Sequence, residues 1–129
     1  MSDGDADWAF VPPQGAILVL FMSRRPGGSN ANGDASGDGD GYAEAAAAMS
    51  ALAAHQPGYL GETSLRGPDG IGMTASWWRD EASAAAWRDH PEHVAIRKRA
   101  RGRGGDPWYE GYALTVAEVR RAYGWGDAG

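Results

Sequence analysis

The chain has 129 residues, 43% of them hydrophobic, which is enough for one domain with a core and too few for two. Its formal net charge of −5 comes from aspartates in the segments 1–7, 34–40 and 127–129. The rest is close to neutral, so nucleic acid is not expected as a partner. Cysteine is absent, which excludes disulfides, and no apolar run reaches the roughly 20 residues of a membrane span. The acidic start is unlike a secretion signal, so we expect a cytoplasmic protein.

The N-terminal part predicts a lead-in, a strand and a helix. Residues 1–13 are acidic and then proline-bearing, which indicates a flexible lead-in. The apolar run 16–22 has the length and composition of a strand covered on both faces. Residues 26–41 are rich in glycine and aspartate and predict a flexible insert, because they cannot bury enough apolar area to become ordered. The alanine-dense segment 42–55 predicts a helix.

The following segment predicts a β-hairpin. Strands at 59–66 and 71–78 flank the turn signal Gly67-Pro68-Asp69-Gly70. Side chains alternate along a strand, so the second strand should present different residues on its two faces. One face should carry Ile71, Met73, Ala75 and Trp77, and the other Thr74, Ser76 and Trp78.

The C-terminal part predicts two helical pieces and a last strand. A helix should run from Asp80 to His90, and a second piece should start at Pro91, because proline is tolerated in a first helical turn. The last strand should run from about 108 to 119. Tyr109 and Tyr112 would then lie on opposite faces of that strand, so only one of them could point into a pocket.

The order of elements is β-α-β-β-α-β, which predicts an α+β fold of the ferredoxin-like class with an antiparallel sheet. We expect one domain over residues 14–125, with 126–129 as a tail. Helices on one side would leave the other face of an apolar sheet uncovered. The fold therefore predicts a homodimer.

The junction between the second hairpin strand and the next helix holds three tryptophans and two histidines. If the helix continues through Pro91, then His90, His93 and Arg97 share one stripe. Two imidazoles and a guanidinium could supply a general base and a charge that stabilises an anion. The alternative is structural: His90 caps a helix, His93 lies in solvent and the tryptophans form the core. No third metal ligand is evident, so neither a metal nor a cofactor is predicted.

Four segments, taken in order, resemble the antibiotic biosynthesis monooxygenase family. They are Pro57-Gly58-Tyr59-Leu60-Gly61-Glu62, Gly72-Met73-Thr74-Ala75-Ser76-Trp77-Trp78, Ala86-Trp87-Arg88-Asp89-His90-Pro91-Glu92-His93 and Trp108-Tyr109-Glu110. The resemblance implies a dimeric α/β barrel. The family includes cofactor-free oxygenases of polycyclic aromatic phenols, haem-degrading oxygenases and members without a demonstrated activity.

The resemblance implies a cofactor-independent monooxygenase that acts on an aromatic, polyketide-type substrate with dioxygen. His90 or His93 would be the base and Arg97 would stabilise the anion, while the substrate would be bound by Trp77, Trp78, Trp87 and Tyr109. A non-catalytic binding or dimerisation module of the same fold is the alternative. Haem is less favoured, because the position ten residues after Trp87, where haem-degrading members carry the axial histidine, is Arg97.

Overall fold

The computed structural model describes residues 10–26, 41–103 and 107–125. These form four strands and three helices, which run in the chain order β1, α1, β2, β3, α2, α3, β4. The strands are β1 (Ile17–Arg24), β2 (Tyr59–Arg66), β3 (Ile71–Trp78) and β4 (Gly111–Glu118), and the helices are α1 (Tyr42–Ala53), α2 (Glu81–Arg88) and α3 (Pro91–Ala100). Apart from its ends Pro26 and Gly41, the predicted insert lies outside the described residues.

The four strands form one antiparallel sheet in the order β2-β3-β1-β4. This is the ferredoxin-like arrangement, so the predicted fold class is confirmed. Strand β1 is central and pairs along its whole length with β3 and β4, from Ile17 opposite Trp78 and Glu118 to Arg24 opposite Ile71 and Gly111. None of the three described helices is long and apolar enough to cross a membrane.

The hairpin between β2 and β3 forms where the turn residues predict it. Gly70 adopts a φ of 86°, which glycine reaches without steric cost. The Asp69 carboxylate accepts a hydrogen bond of 3.0 Å from the backbone N–H of Ile71. Both hairpin strands have their predicted bounds, because this turn fixes where each strand ends and begins.

The sheet has a helix side and a helix-free side. Cross-strand partners point to the same face, and Trp78, which is fully buried beneath the helices, defines the helix side. The predicted alternation along β3 holds. Trp77 pairs with Leu18 and Met73 with Met22 on the helix-free side, where Met22, Leu65, Ile71 and Met73 remain exposed.

The buried core is small and lies at one end of the helix side. Ile17, Ala53 and Trp78 form it. Four partly buried side chains pack against it, namely Val19, Tyr59, Ala84 and Trp87. The core therefore lies beneath the junction that the sequence singled out.

The last strand starts three residues later than predicted. Residues 108–110 are held by other contacts: the Trp108 N–H donates to the Ala100 carbonyl at 3.0 Å and the Glu110 N–H to the Arg24 carbonyl at 2.8 Å. Trp108 is buried by this arrangement. The prediction that Tyr109 and Tyr112 lie on opposite faces is therefore wrong, because Tyr109 precedes the strand and both rings contact Phe21, at 5.4 Å between centroids.

Candidate functional site

The junction between β3 and α2 is tightly organised. Asp80 caps α2, and its carboxylate accepts a 2.8 Å hydrogen bond from the Ser83 N–H. The Arg79 N–H donates to the Gly58 carbonyl at 2.7 Å. Gly58 has a φ of 84°, and a Cβ atom there would collide with the buried Ser83 side chain. The loop before β2 thus fits closely against the start of α2.

The three tryptophans of the junction lie on two sides of the sheet. Trp78 is buried on the helix side, where its indole N–H donates to the Ser76 hydroxyl at 3.0 Å. Trp77 lies on the helix-free side, and its ring is 6.1 Å from that of Phe10. Trp77 therefore cannot contact the same side of a substrate-binding site as Trp78 and Trp87.

Aromatic rings form a continuous stack on the helix side, which we call the ring stack. Trp87 lies parallel to Trp78, with centroids 6.3 Å apart and planes at 22°. His93 lies on Trp87 at 4.4 Å and 15°. The Tyr59 ring meets Trp78 edge-on at 5.6 Å. This packing joins the core to the start of α3.

Helix α3 begins at Pro91, where the second helical piece was predicted to start, so the continuous helix that a single stripe of His90, His93 and Arg97 would require does not form. Helix α2 ends at Arg88, and His90 is the N-cap of α3 with an extended backbone (ψ 131°). A residue before proline avoids the helical region because of steric clash with the proline ring. His90 and His93 nevertheless both contact Trp87, because the break turns α3 back against it.

The two imidazoles differ in their available lone pairs. The Nδ1 atom of His90 accepts a 3.2 Å hydrogen bond from the Glu92 N–H, so its lone pair is used in the cap. The Nδ1 atom of His93 lies 3.0 Å from the Trp87 carbonyl, which can only accept, so this nitrogen carries a proton. In neutral His93 the Nε2 atom therefore keeps its lone pair, and His93 is the better placed base.

The surroundings of His93 favour its neutral form. Burial lowers the pKa of His93 below its usual value, and the nearby charges of Arg97 and His90 lower it further, whereas the hydrogen bond to the Trp87 carbonyl opposes this. Arg97 donates to the Arg88 carbonyl at 2.9 Å. Its buried Nε has no hydrogen-bond partner among the described residues. A positive charge with a spare donor thus lies close to a neutral imidazole.

Tyr109 lies at the other end of the helix side, away from the ring stack. Its ring contacts Phe21 and Tyr42, the latter at 5.6 Å. Burial raises the pKa of Tyr109 far above its usual value, and the neighbouring Tyr42 phenol adds to the effect. The Tyr42 hydroxyl in turn accepts a hydrogen bond of 3.1 Å from Arg66. The structure therefore does not bring Tyr109 together with His90, His93 and Arg97.

Glu62 is a candidate that inspection of the sequence missed as a functional residue. Its carboxylate accepts a 3.1 Å hydrogen bond from the Ser50 hydroxyl of α1. Burial raises the pKa of Glu62, and the Ser50 hydrogen bond partly offsets this. Glu62 belongs to one of the four segments that carry the family resemblance, which is the signal that could have drawn attention to it.

Two open surface cavities, of about 310 and 340 Å³, lie elsewhere on the described part of the chain. The first lies at the ends of β1 and β3, beside the ion pair of Arg24 and Glu110. The second lies between the start of α2 and the end of β4. Neither cavity is lined by the ring stack. Within the described ranges, no three His, Cys, Asp or Glu side chains form a group that could bind a metal.

Comparison with known proteins identifies the family. The family model described as antibiotic biosynthesis monooxygenase matches residues 35–99, which is half of the chain. The chain belongs to this family. It is 45% identical over 80 residues to the uncharacterized protein YqjZ of Bacillus subtilis (strain 168), and the match covers 62% of this chain and 67% of YqjZ.

Solved structures share the fold of this antibiotic biosynthesis monooxygenase family member. SnoaB of Streptomyces nogalater, described as a cofactor-independent oxygenase, matches with a TM-score of 0.57 at 16% identity, over 84% of this chain and 96% of SnoaB. A dimeric ferredoxin-like protein of unknown function from Thermobifida fusca matches with a TM-score of 0.57 at 15% identity, over 84% and 94% of the two chains. At these identities the comparison supports the fold alone.

Proposed function

We propose that this family member is a small cofactor-independent monooxygenase that oxidises an aromatic, polyketide-type substrate with dioxygen. The observation that carries the proposal is His93, a half-buried imidazole fixed on the face of Trp87 with its Nε2 lone pair available. Family membership and the fold shared with SnoaB, itself described as a cofactor-independent oxygenase, support the same reaction class.

The proposed reaction starts with removal of an acidic C–H or O–H proton from an anthrone or phenol by Nε2 of His93. The guanidinium of Arg97 stabilises the resulting anion. This electron-rich anion transfers electrons to dioxygen and forms a C–O bond, which gives a peroxide. For an anthrone, loss of water from the protonated peroxide leaves the carbonyl of a quinone. One oxygen atom stays in the product, the other leaves as water, and His93 returns its proton.

The remaining predicted contacts fit this proposal to different degrees. Trp87 offers a flat surface beside His93. Trp78 is fully buried behind Trp87, so it would support the position of Trp87 and would not contact the substrate itself. Tyr109 could contact the substrate only if the substrate extended to the other end of the helix side. Trp77 could contact it only if the substrate reached the helix-free side of the sheet. We therefore assign His93 as the base and retain the other positions as predictions.

We further propose that the protein acts as a homodimer joined through the helix-free side. Met22, Ile71 and Met73 are 40–43% exposed there and Leu65 is 66% exposed, although all four lie on one sheet face. An exposed apolar face of this kind is typical of an interface. The fold shared with a dimeric ferredoxin-like protein supports this assembly. Sedimentation equilibrium should give twice the chain mass, and a monomer at micromolar concentration would contradict the proposal.

An oxygen electrode with a panel of anthrones and hydroquinones tests the activity. We expect enzyme-dependent oxygen uptake that His93→Asn lowers about 10²–10⁴-fold, the usual contribution of a general base. Asparagine keeps a donor for the Trp87 carbonyl but has no basic nitrogen. His90→Asn is the matched control, since asparagine is also a good N-cap, and should leave the rate within a small factor. Full activity in His93→Asn would remove His93 from the mechanism.

A non-catalytic binding or dimerisation module of the same fold is the second candidate. The observation that favours it is the close packing of the ring stack, against which neither surface cavity lies. This candidate predicts ligand binding without oxygen uptake, so the same oxygen-electrode measurement decides between the two.

A further inference from the structure

The residues that follow β4, 120–125, form a short C-terminal arm with two exposed aromatic side chains. Tyr123 is 84% exposed and Trp125 is 97% exposed. Tryptophan is highly buried on average, because its large apolar surface is unfavourable in water. Two such rings within three residues of each other therefore indicate a surface that another molecule covers.

The base of the arm is held by the body of the protein, whereas its aromatic side chains project from it. The Val119 N–H donates to the Ala16 carbonyl at 2.8 Å. Further along, a Cβ atom on Gly124 would lie 2.9 Å from a methyl group of Val11. The arm thus lies against the N-terminal segment at a point where it has no room for a side chain, and the residues on either side of Gly124 are exposed.

The helix-free side of the sheet has an apolar hollow near the start of β4, which is the cavity of about 310 Å³ described above. Met22 and Ile71 line it, and the ion pair of Arg24 and Glu110 lies at its edge. Gly111 also lines the hollow, and a Cβ atom there would meet nothing within 4 Å. A volume of this size holds roughly ten water molecules, which is enough for one indole side chain.

The arm of the same chain is too short to fill this hollow. Val119 lies eight residues beyond Gly111, which is about 26 Å along a strand. Trp125 lies six residues beyond Val119, so a fully extended arm spans about 20 Å, and a reversal of direction would shorten this reach. The arm and the hollow therefore lie at opposite ends of β4, and the hollow must be filled by another molecule.

A second copy of the chain would bring the two features together. Two sheets can pack through their helix-free sides about a twofold axis that lies between them and runs across the strands. The end of β4 in one copy then lies over the start of β4 in the other, so each arm reaches the hollow of the partner. The same contact forms twice, which is the property of an isologous dimer.

We propose that two copies of the chain exchange their C-terminal arms, and that Trp125 of each copy inserts into the apolar hollow of the other. Tyr123 is covered in the same contact. This arrangement rests on the proposed homodimer and identifies the residues that join its two chains.

The area that the arms would bury is adequate for a stable dimer. An aromatic side chain buries about 150–250 Å². The two rings of each arm, counted over both copies, therefore bury roughly 600–1,000 Å². The receiving surfaces around Met22 and Ile71 bury a similar area. The total lies in the range of about 1,200–2,000 Å² that is typical of specific interfaces.

Sedimentation equilibrium of arm and hollow variants tests the exchange. Trp125→Ala should raise the Kd of the dimer at least about 100-fold, because a tryptophan anchor is lost twice in each dimer. Gly111→Leu should raise it by a similar factor, since leucine would fill the hollow and Gly111 has no positive φ that would exclude a side chain. Arg121→Ala on the arm and Val116→Leu on the other face of β4 are the matched controls. Both should leave the Kd within about threefold of the wild type.

The two substitutions remove one and the same contact, so the double variant should have a Kd no higher than the weaker-binding single variant. A monomeric wild-type chain at micromolar concentration would contradict the homodimer and the arm exchange together. A wild-type dimer whose Kd is unchanged by Trp125→Ala would overturn the arm exchange alone. Fully additive effects in the double variant would also overturn it and would leave the homodimer standing.

The folding of each variant is checked on the single chain, by urea denaturation at protein concentrations below the Kd of the dimer. Neither substitution should lower the free energy of unfolding there, because Trp125 is exposed in the single chain and the Cβ position of Gly111 faces open space. A variant that keeps this stability and no longer dimerises has lost the interface and not the fold.

Discussion

The ring stack lies on the same side of the sheet as a group of polar side chains on β2 and β3, the polar row (Glu62, Ser64, Thr74 and Ser76). The Trp78 indole of the stack donates a hydrogen bond to Ser76 of the row. The stack is closely packed and ends in an imidazole whose proton position is fixed. The row is polar, partly open and bounded by a helix with small side chains. The two regions therefore differ in packing: the stack holds an imidazole in a fixed orientation, whereas the row leaves polar side chains partly exposed.

The largest expected effect is a loss of folding stability when Trp78, the fully buried residue of the stack, is replaced. Trp78→Ala should lower the free energy of unfolding by about 3–5 kcal/mol, because it removes a large, fully buried side chain and leaves a cavity. Denaturation by urea measures this. Trp125→Ala removes the same side chain from a position that is 97% exposed, and should change stability by no more than about 0.5 kcal/mol.

Comparable losses in the two tryptophan variants would show that Trp78 does not hold the stack together.

The row provides a second comparison. Ser64→Ala should cost far less than Trp78→Ala, because Ser64 is exposed and its hydroxyl can be replaced by water.

The sequence predicted the stack better than the row, for a physical reason. The apolar and turn residues of the hairpin determine its strand bounds, and strict alternation correctly placed Trp78 opposite Trp77. Alternation fails at the bulge between Tyr59 and Gly61, where one extra residue changes the side on which Glu62 lies. The isolated Gly61 is compatible with a bulge but does not specify one. Alternation therefore placed Thr74 and Ser76 on the face of Trp78, but it did not place Glu62 there.

The histidines show a second limit of prediction by spacing. A continuous helix would have aligned His90, His93 and Arg97, and the helix is interrupted instead. The start of the second helix at Pro91 was predicted, and Pro91 also restricts the backbone of His90 before it, which is why the two helices do not join. The tautomers of the two imidazoles, by contrast, depend on which backbone groups they face after folding, namely the Glu92 N–H and the Trp87 carbonyl.

The stack should become more stable as pH rises. The pKa of His93 is lower in the folded chain than its usual 6.5. At pH values between the folded and the unfolded pKa, the unfolded chain therefore binds more protons than the folded chain. The stabilisation is present above pH 6.5 and is lost as pH falls towards the folded value. Urea denaturation at several pH values should show a smaller loss of stability in His93→Asn than in the wild type. His55→Asn, which replaces an exposed imidazole, is the control, and parallel curves for His93→Asn would contradict a neutral buried His93.

The row should respond to pH with the opposite sign, because burial raises the pKa of Glu62 and the Ser50 hydrogen bond offsets this only in part. The pKa of Glu62 is raised above its usual 4.5, so the folded chain binds more protons than the unfolded chain. The stabilisation is present below pH 4.5 and is lost as pH rises through the folded value. Glu62→Gln cannot ionise, so its stability relative to the wild type should increase with rising pH in this range, whereas Glu44→Gln should show no such trend. A Glu62→Gln curve parallel to the wild type would mean that Glu62 is solvated, which would contradict the burial that raises its pKa.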